Sequence, residues 1–168
     1  MQESFNRLLR EYDYLCEELE GQTRLLRELS ETDKYRDRVE ILRSIPGVGI
    51  ITAMEFLLEI QNVSRFERAD QIAAYVGLTP CQYSSGDKVR MGRITKSGKK
   101  YLRSLLIEAS WLTIRKDTEK RAIYENIKKR AGGKRAIVGI ARRTLLAMRR
   151  MLLDSQTYNI KRSSTRAA

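Results

Sequence analysis

Ser84 and Ser85 stand directly before Gly86 in the stretch PCQYSSGDKVRMGRITKSGKKYLR, residues 80–103, and seven Lys or Arg follow between Lys88 and Arg103. A serine hydroxyl is a weak nucleophile until a base takes its proton or a cation stabilises the alkoxide. The chain has no histidine, which excludes a Ser-His-Asp or Cys-His site built from this chain and the usual histidine metal clusters. Asp87 is a lone neighbouring carboxylate, and one carboxylate cannot hold a metal pair. By residue type alone, serine before glycine is a turn, and catalysis stands as the alternative.

The cations say more. Lys96, Lys99, Lys100 and Arg103 cluster around the start of the helix expected after Gly98 and share one helical face. Cations at a helix N-terminus oppose the macrodipole by about 0.3–1 kcal/mol each, so a sequence serving stability alone would place Asp or Glu there. A bound anion resolves the conflict, and a phosphate held by helix N–H groups, lysines and an arginine is the expected ligand. Arg90 and Arg93 extend the same basic stretch upstream.

A second candidate is ILRSIPGVGIITAMEFLLEI, residues 41–60. A helix end, a Pro46-Gly47-Val48-Gly49 turn and an apolar helix from about Ile50 resemble the helix-hairpin-helix motif. There Gly47 and Gly49 would let the backbone approach a DNA phosphate. The plain reading is a turn between two helices.

Charge placement names the partner class. The net charge is +12, yet residues 1–40 carry −4, residues 41–80 carry −1, and residues 81–168 carry +17. Such segregation points to a polyanion. Nucleic acid fits better than an anionic membrane, because the basic half has few aromatic anchors. No run of eighteen apolar residues and no apolar leader occurs, so neither a membrane span nor a signal peptide is read, and a cytoplasmic protein is expected. Cys16 and Cys81 are too few and too distant for a disulfide framework or a zinc site.

The elements expected to position these residues are mainly α-helical. Residues 1–40 read as one charged coiled-coil helix, with Phe5, Leu8, Tyr12, Leu15, Leu19, Gln22, Leu26 and Leu29 at the alternating three-and-four spacing of a seam. Homo-oligomerisation through 1–40 is the expected use. Residues 41–154 form a compact helical domain that contains the helix-hairpin-helix-like motif. Within it, Ala69–Val76 is a short helix stopped by Gly77, and a short extended or hairpin segment lies near 80–95. Helices follow at 97–115, 118–129 and 134–154, with Leu102, Leu105, Leu106, Ala109 and Leu112 on one inward face. Residues 155–168 are a polar tail expected to be disordered.

Read in order, Gly77, Leu78, Pro80, Ser85, Gly86, Gly92, Ile94, Thr95, Lys96, Gly98, Leu102 and Arg103 resemble the C-terminal transposase domain of the insertion-sequence family named after elements 110, 116 and 902. The flanking IPGVGIITA and KRAIVGIARRTLLAMRRML are similar to the family too, so the resemblance covers about residues 40–153. It implies a DNA recombinase guided by a structured RNA, whose serine attacks the scissile phosphate. The family's metal-binding carboxylates lie on a separate N-terminal RuvC-like domain, which would supply the Mg2+ site. Carried onto this chain, Ser85 is the expected nucleophile, with Ser84 as fallback. Lys96 and Arg103 become candidates to clamp the phosphate.

The chain opens at the coiled coil, so the RuvC-like domain is expected to be missing. The carboxylates from residue 81 onward (Asp87, Glu108, Asp117, Glu119, Glu125 and Asp154) show no ligand clustering, and no cofactor is expected in this chain itself. Two readings follow: a transposase catalytic domain that is incomplete alone, or a non-catalytic nucleic-acid-binding and oligomerising module that acts with a full-length transposase.

Overall fold

The computed structural model describes residues 2–85, 88–95 and 97–159; for residues 82–91 and 93 it describes backbone alone where it describes them. The chain is mainly helical and divides into two compact units, up to Asp37 and from Arg38 onward.

The first unit is built on α1 (Gln2–Ser30). Its seam stays open to solvent: Phe5, Leu8, Tyr12, Leu15 and Leu19 are all more than half exposed. The single helix expected over 1–40 breaks at Glu31–Tyr35, before α2 (Arg36–Arg43). The cause is local. The Ser30 hydroxyl donates to the Arg27 carbonyl at 2.6 Å and Thr32 to the Leu29 carbonyl at 2.7 Å. Such short side chains bond nearby backbone groups and so compete with the next helical turn.

The second unit contains α3 (Ile50–Ile60), a 3-10 turn at Val63–Arg65, α4 (Ala69–Val76), strands β1 (Pro80–Ser85) and β2 (Lys88–Ile94), then α5 (Lys100–Lys116), α6 (Thr118–Ala131) and α7 (Gly133–Asp154). Helix α7 packs on α4, α5 and α6, while α3 packs on α5. Leu102, Leu106, Ile140, Leu145 and Met148 are fully buried, with Phe56 and Met54 from α3. Burying a side chain of this size is worth about 1.5–3 kcal/mol, so these helices are held by their shared core. The inward face of α5 differs from expectation at Leu112, which is 46% exposed, and Thr113 and Ser110 take the inner positions instead. Both hydroxyls fit there because they bond backbone carbonyls: Ser110 to Leu106, Thr113 to Ala109 and Pro46.

Asp117 joins α5 to α6 and is fully buried. One oxygen caps α6 by accepting from the Glu119 and Lys120 N–H groups at 2.9 and 3.0 Å. The other accepts from the Tyr158 hydroxyl at 2.6 Å, and the Tyr158 N–H donates to Ser44 Oγ at 2.7 Å. Residues 155–159, expected to be disordered, are therefore tied down where Tyr158 meets a buried acceptor; Ile160–Ala168 lie outside the described residues. No helix among the described residues is long and apolar enough to cross a membrane.

Candidate nucleic-acid interface

The serine-bearing segment leaves the helical unit at one narrow base. Helix α4 ends at Gly77 with φ +80°, and Gly98 lies across it with φ +103°. A Cβ on Gly77 would collide with the Ser97 carbonyl, and one on Gly98 with the Tyr75 carbonyl. The two backbones cross at a separation that no side chain permits, and their φ values lie where glycine is at ease. Just above the crossing the Thr95 N–H donates to the Thr79 carbonyl at 3.0 Å. The chain entering β1 and the chain leaving β2 are thereby clamped together.

From this base β1 and β2 run antiparallel, with an irregularity between Pro80 and Gln82. Ser85 pairs with Lys88, Ser84 with Val89, and Tyr83 with Arg90. Because positions two apart share a face of a ladder, Ser85, Lys88, Tyr83 and Arg90 occupy one face, while Ser84 and Val89 occupy the other. The two serines are thus set apart by their register: Ser85 shares its face with two basic positions. Gly86 and Asp87 lie outside the described residues, and Arg93 falls on β2 beyond the regular pairs.

The four cations expected around the start of α5 separate into different occupations. Lys96 lies outside the described residues. Arg103 is turned inward, 8% exposed, and donates from Nη1 to the Val76 carbonyl at 2.8 Å. It thus satisfies a carbonyl at the C-terminal end of α4, where a cation is favoured by the helix dipole. Lys99 caps the start of α5 and is held by Glu59 of α3, with Nζ 2.8 Å from Oε1. Lys100 opens α5 exposed to solvent.

Around Lys99 lies a cluster with no signal in the linear sequence, since its members come from four elements. The Tyr75 hydroxyl donates to the same Glu59 oxygen at 2.9 Å. Lys99 Nζ lies 5.3 Å from the Tyr75 ring centre, and the Arg65 guanidinium lies 4.8 Å from that ring and 4.6 Å from Phe66. The hydrogen bond from Lys99, aided by that from Tyr75, holds the Glu59 carboxyl below the usual carboxylate range. The same bond to Glu59 raises Lys99 above an ordinary lysine. Glu55, one turn before Glu59, is pushed up by burial and by the neighbouring Glu59 charge.

The Pro46-Gly47-Val48-Gly49 turn also divides. Gly47, with φ +97°, packs on α5: a Cβ there would meet the Ala109 carbonyl and Leu112. Thr113 Oγ1 donates to the Pro46 carbonyl at 2.6 Å from the same helix. The close approach that Gly47 permits is therefore made to α5. Gly49 precedes α3 in an extended conformation, with open space where its Cβ would be.

Among the described residues no three His, Cys, Asp or Glu side chains converge as metal ligands. The described residues do not by themselves fit a Mg2+ site.

Residues 39–125 match the family model described as Transposase IS116/IS110/IS902 family. The chain is 32% identical over 135 residues to the transposase for insertion sequence element IS1111A of Coxiella burnetii, a match covering 78% of this chain and 37% of that protein. It is 36% identical over 104 residues to the transposase for insertion sequence element IS1328 of Yersinia enterocolitica, covering 62% and 30%. It is 33% identical over 138 residues to the uncharacterized 42 kDa protein of insertion element IS900 of Mycobacterium paratuberculosis, covering 78% and 33%. The chain spans about a third of the length of these curated relatives.

Proposed function

The chain belongs to the transposase IS116/IS110/IS902 family, and on that premise we propose that it acts in the transposition of an insertion sequence, with Ser85 as the nucleophile on a DNA phosphodiester. The observation that carries this reading is the register of the strand pair. Ser85 sits at the end of β1 opposite Lys88, and Arg90 occupies the same face two positions on. Basic positions on the same face of the ladder as Ser85 would offset charge gathered on the phosphate oxygens in the transition state, the electrostatic stabilisation that dominates many phosphoryl transfers. Ser84, on the opposite face beside Val89, lacks that setting. Lys96, Lys100 and Arg93 are further candidates to hold phosphate, whereas Arg103 supports the base of the strand pair and Gly47 packs on α5.

The partners in this reading are element DNA, a structured guide RNA and a further domain that brings carboxylates and Mg2+. The test is a covalent protein–DNA adduct on element-end DNA, with guide RNA and a full-length relative supplying the carboxylate domain. The adduct on this chain is lost in Ser85→Ala and kept in Ser84→Ala. The reverse pattern, or an adduct that survives both changes, overturns the assignment.

The exposed seam of α1 favours a second reading: a binding and oligomerising module that modulates a full-length transposase. In that case no adduct forms on this chain under any condition, while DNA binding persists and Leu15→Glu with Leu19→Glu abolishes self-association.

A further inference from the structure

The function proposed above leaves unused a basic cluster at the tip of the domain's last helical hairpin, α6–α7. Lys128, Lys129 and Arg130 end α6, and Lys134 and Arg135 begin α7 across Gly132 and Gly133; these ten residues from Asn126 to Arg135 contain five cations and no acid. Among the described residues, the ion pair recorded at this tip is Lys128 with Glu125, at 3.5 Å. Lys129, Arg130, Lys134 and Arg135 are exposed.

Helix chemistry accounts for half of the cluster. Cations in the last turn of α6 suit its dipole, but Lys134 and Arg135 stand in the first turn of α7, which holds no acid. There they oppose the dipole. Placing both sets on one bare glycine turn concentrates more positive charge than the two helix ends together favour.

A second observation is aromatic. Trp111, the chain's only tryptophan, is 42% exposed on α5. Its ring meets Tyr124 of α6 edge-on at 5.8 Å between centres. Tyr124 in turn lies under Lys128 Nζ, 5.7 Å from the ring centre. The Tyr124 hydroxyl lies 3.3 Å from the place a Cβ on Gly133 would take. Buried Tyr124 therefore packs against the exposed indole with its ring and reaches the glycine turn with its hydroxyl.

An exposed tryptophan beside clustered cations is the surface that takes single-stranded nucleic acid, with a base on the ring and phosphates on the cations. A duplex offers the phosphates but keeps its bases stacked. We propose that the α6–α7 tip and Trp111 form a binding surface for single-stranded nucleic acid, built from residues outside the β1–β2 segment and independent of Ser85. The shared ligand chemistry is an unpaired base with its phosphodiester backbone, in DNA or RNA.

The sole tryptophan makes the test specific to this place. The full chain is titrated with a 20-nucleotide oligothymidylate, an oligouridylate of the same length, and a 20-base-pair duplex. Emission from Trp111 is read beside the anisotropy of the labelled strand. The expected result is quenching of Trp111 by at least half with a single strand and little change with the duplex. A preference for one single strand assigns it as DNA or RNA.

Trp111→Leu, which keeps an apolar side chain against Tyr124 but removes the stacking ring, weakens the single strand about five-fold or more, the lower end of what one base–aromatic stack contributes. Replacing Lys129, Arg130, Lys134 and Arg135 together by Gln flattens the logarithmic salt dependence by about 0.7 for each phosphate contact removed, with an unchanged thermal melt. Ser85→Ala leaves quenching and affinity as they were, so the surface stands or falls apart from the nucleophile. Trp111 emission unmoved by any single strand, or quenching that survives the four-Gln variant undiminished, overturns the proposal.

Discussion

Arg103 and Lys99 show how much a cation's meaning depends on direction. Both belong to a run of Lys and Arg whose spacing points all of them to one face of α5, yet Arg103 faces inward to the Val76 carbonyl and Lys99 is held by Glu59. Spacing identifies residues on one face of a helix, but not what comes to lie against it from α3 and α4, some 25 to 40 positions away. Arg103→Met should therefore behave as a loss of fold support. It removes a hydrogen bond from a charged donor, a contribution of about 1.5–3 kcal/mol, and urea denaturation should show a fall of that order. A variant of undiminished stability but weakened DNA binding would restore Arg103 to the phosphate surface.

The Glu59 carboxyl carries a pH prediction. Its folded pKa lies below the ordinary value of 4.5, first through the bond from Lys99 and then through that from Tyr75. Its contribution is present above the unfolded pKa and is lost as pH falls through the folded one. Glu55 works in the other sense, because a carboxyl raised by burial and by Glu59 contributes most below its ordinary pKa. In Glu59→Gln the first contribution disappears and the second shrinks. The melting temperature of the wild type should consequently fall more steeply than that of Glu59→Gln between pH 5 and pH 3.

At the scale of elements, helices were legible wherever a long apolar period ran between clear stops. Helix α4 spans Ala69–Val76 with Gly77 as its left-handed stop, as its sequence indicates. Helix α7 likewise buries Ile137, Ile140, Ala141, Leu145 and Met148. The crossing of Gly77 and Gly98 was not legible, because the need for both glycines arises from a contact between segments twenty residues apart. Nor was the packing of Gly47 on α5, which looks from the sequence like any Pro-Gly turn. Two substitutions within that turn separate the roles. Gly47→Ala meets the Ala109 carbonyl at a positive φ and should cost at least about 1–3 kcal/mol, the range for a strained backbone position. Gly49→Ala, extended and open, should stay within about 0.5 kcal/mol, which frees it to report on DNA contact. Thermal melts of the pair decide this, and equal losses would contradict the asymmetry.

At the scale of the whole molecule, acidic and basic charge are divided along the chain, and the two modes of association proposed for it divide the same way. The first forty residues carry −4 and an apolar seam, while residues 81–168 carry +17. A second copy would cover the seam, whose three-and-four spacing continues from Phe5 to Leu29 and whose Leu19 is 68% exposed. Self-association through α1 would then bring together two basic halves whose binding to long nucleic acid is coupled by effective concentration. Leu15→Glu with Leu19→Glu places four like charges in the seam of a dimer and should give a monomer by light scattering. The monomer should bind a short oligonucleotide as the wild type does, since each basic half is unchanged. On a duplex long enough for two copies it should lose about a hundred-fold in affinity, the lower end of the usual gain from linked sites. Equal loss on short and long DNA would mean that the seam variant damages the basic half itself, and no loss on either would mean that the seam serves another partner.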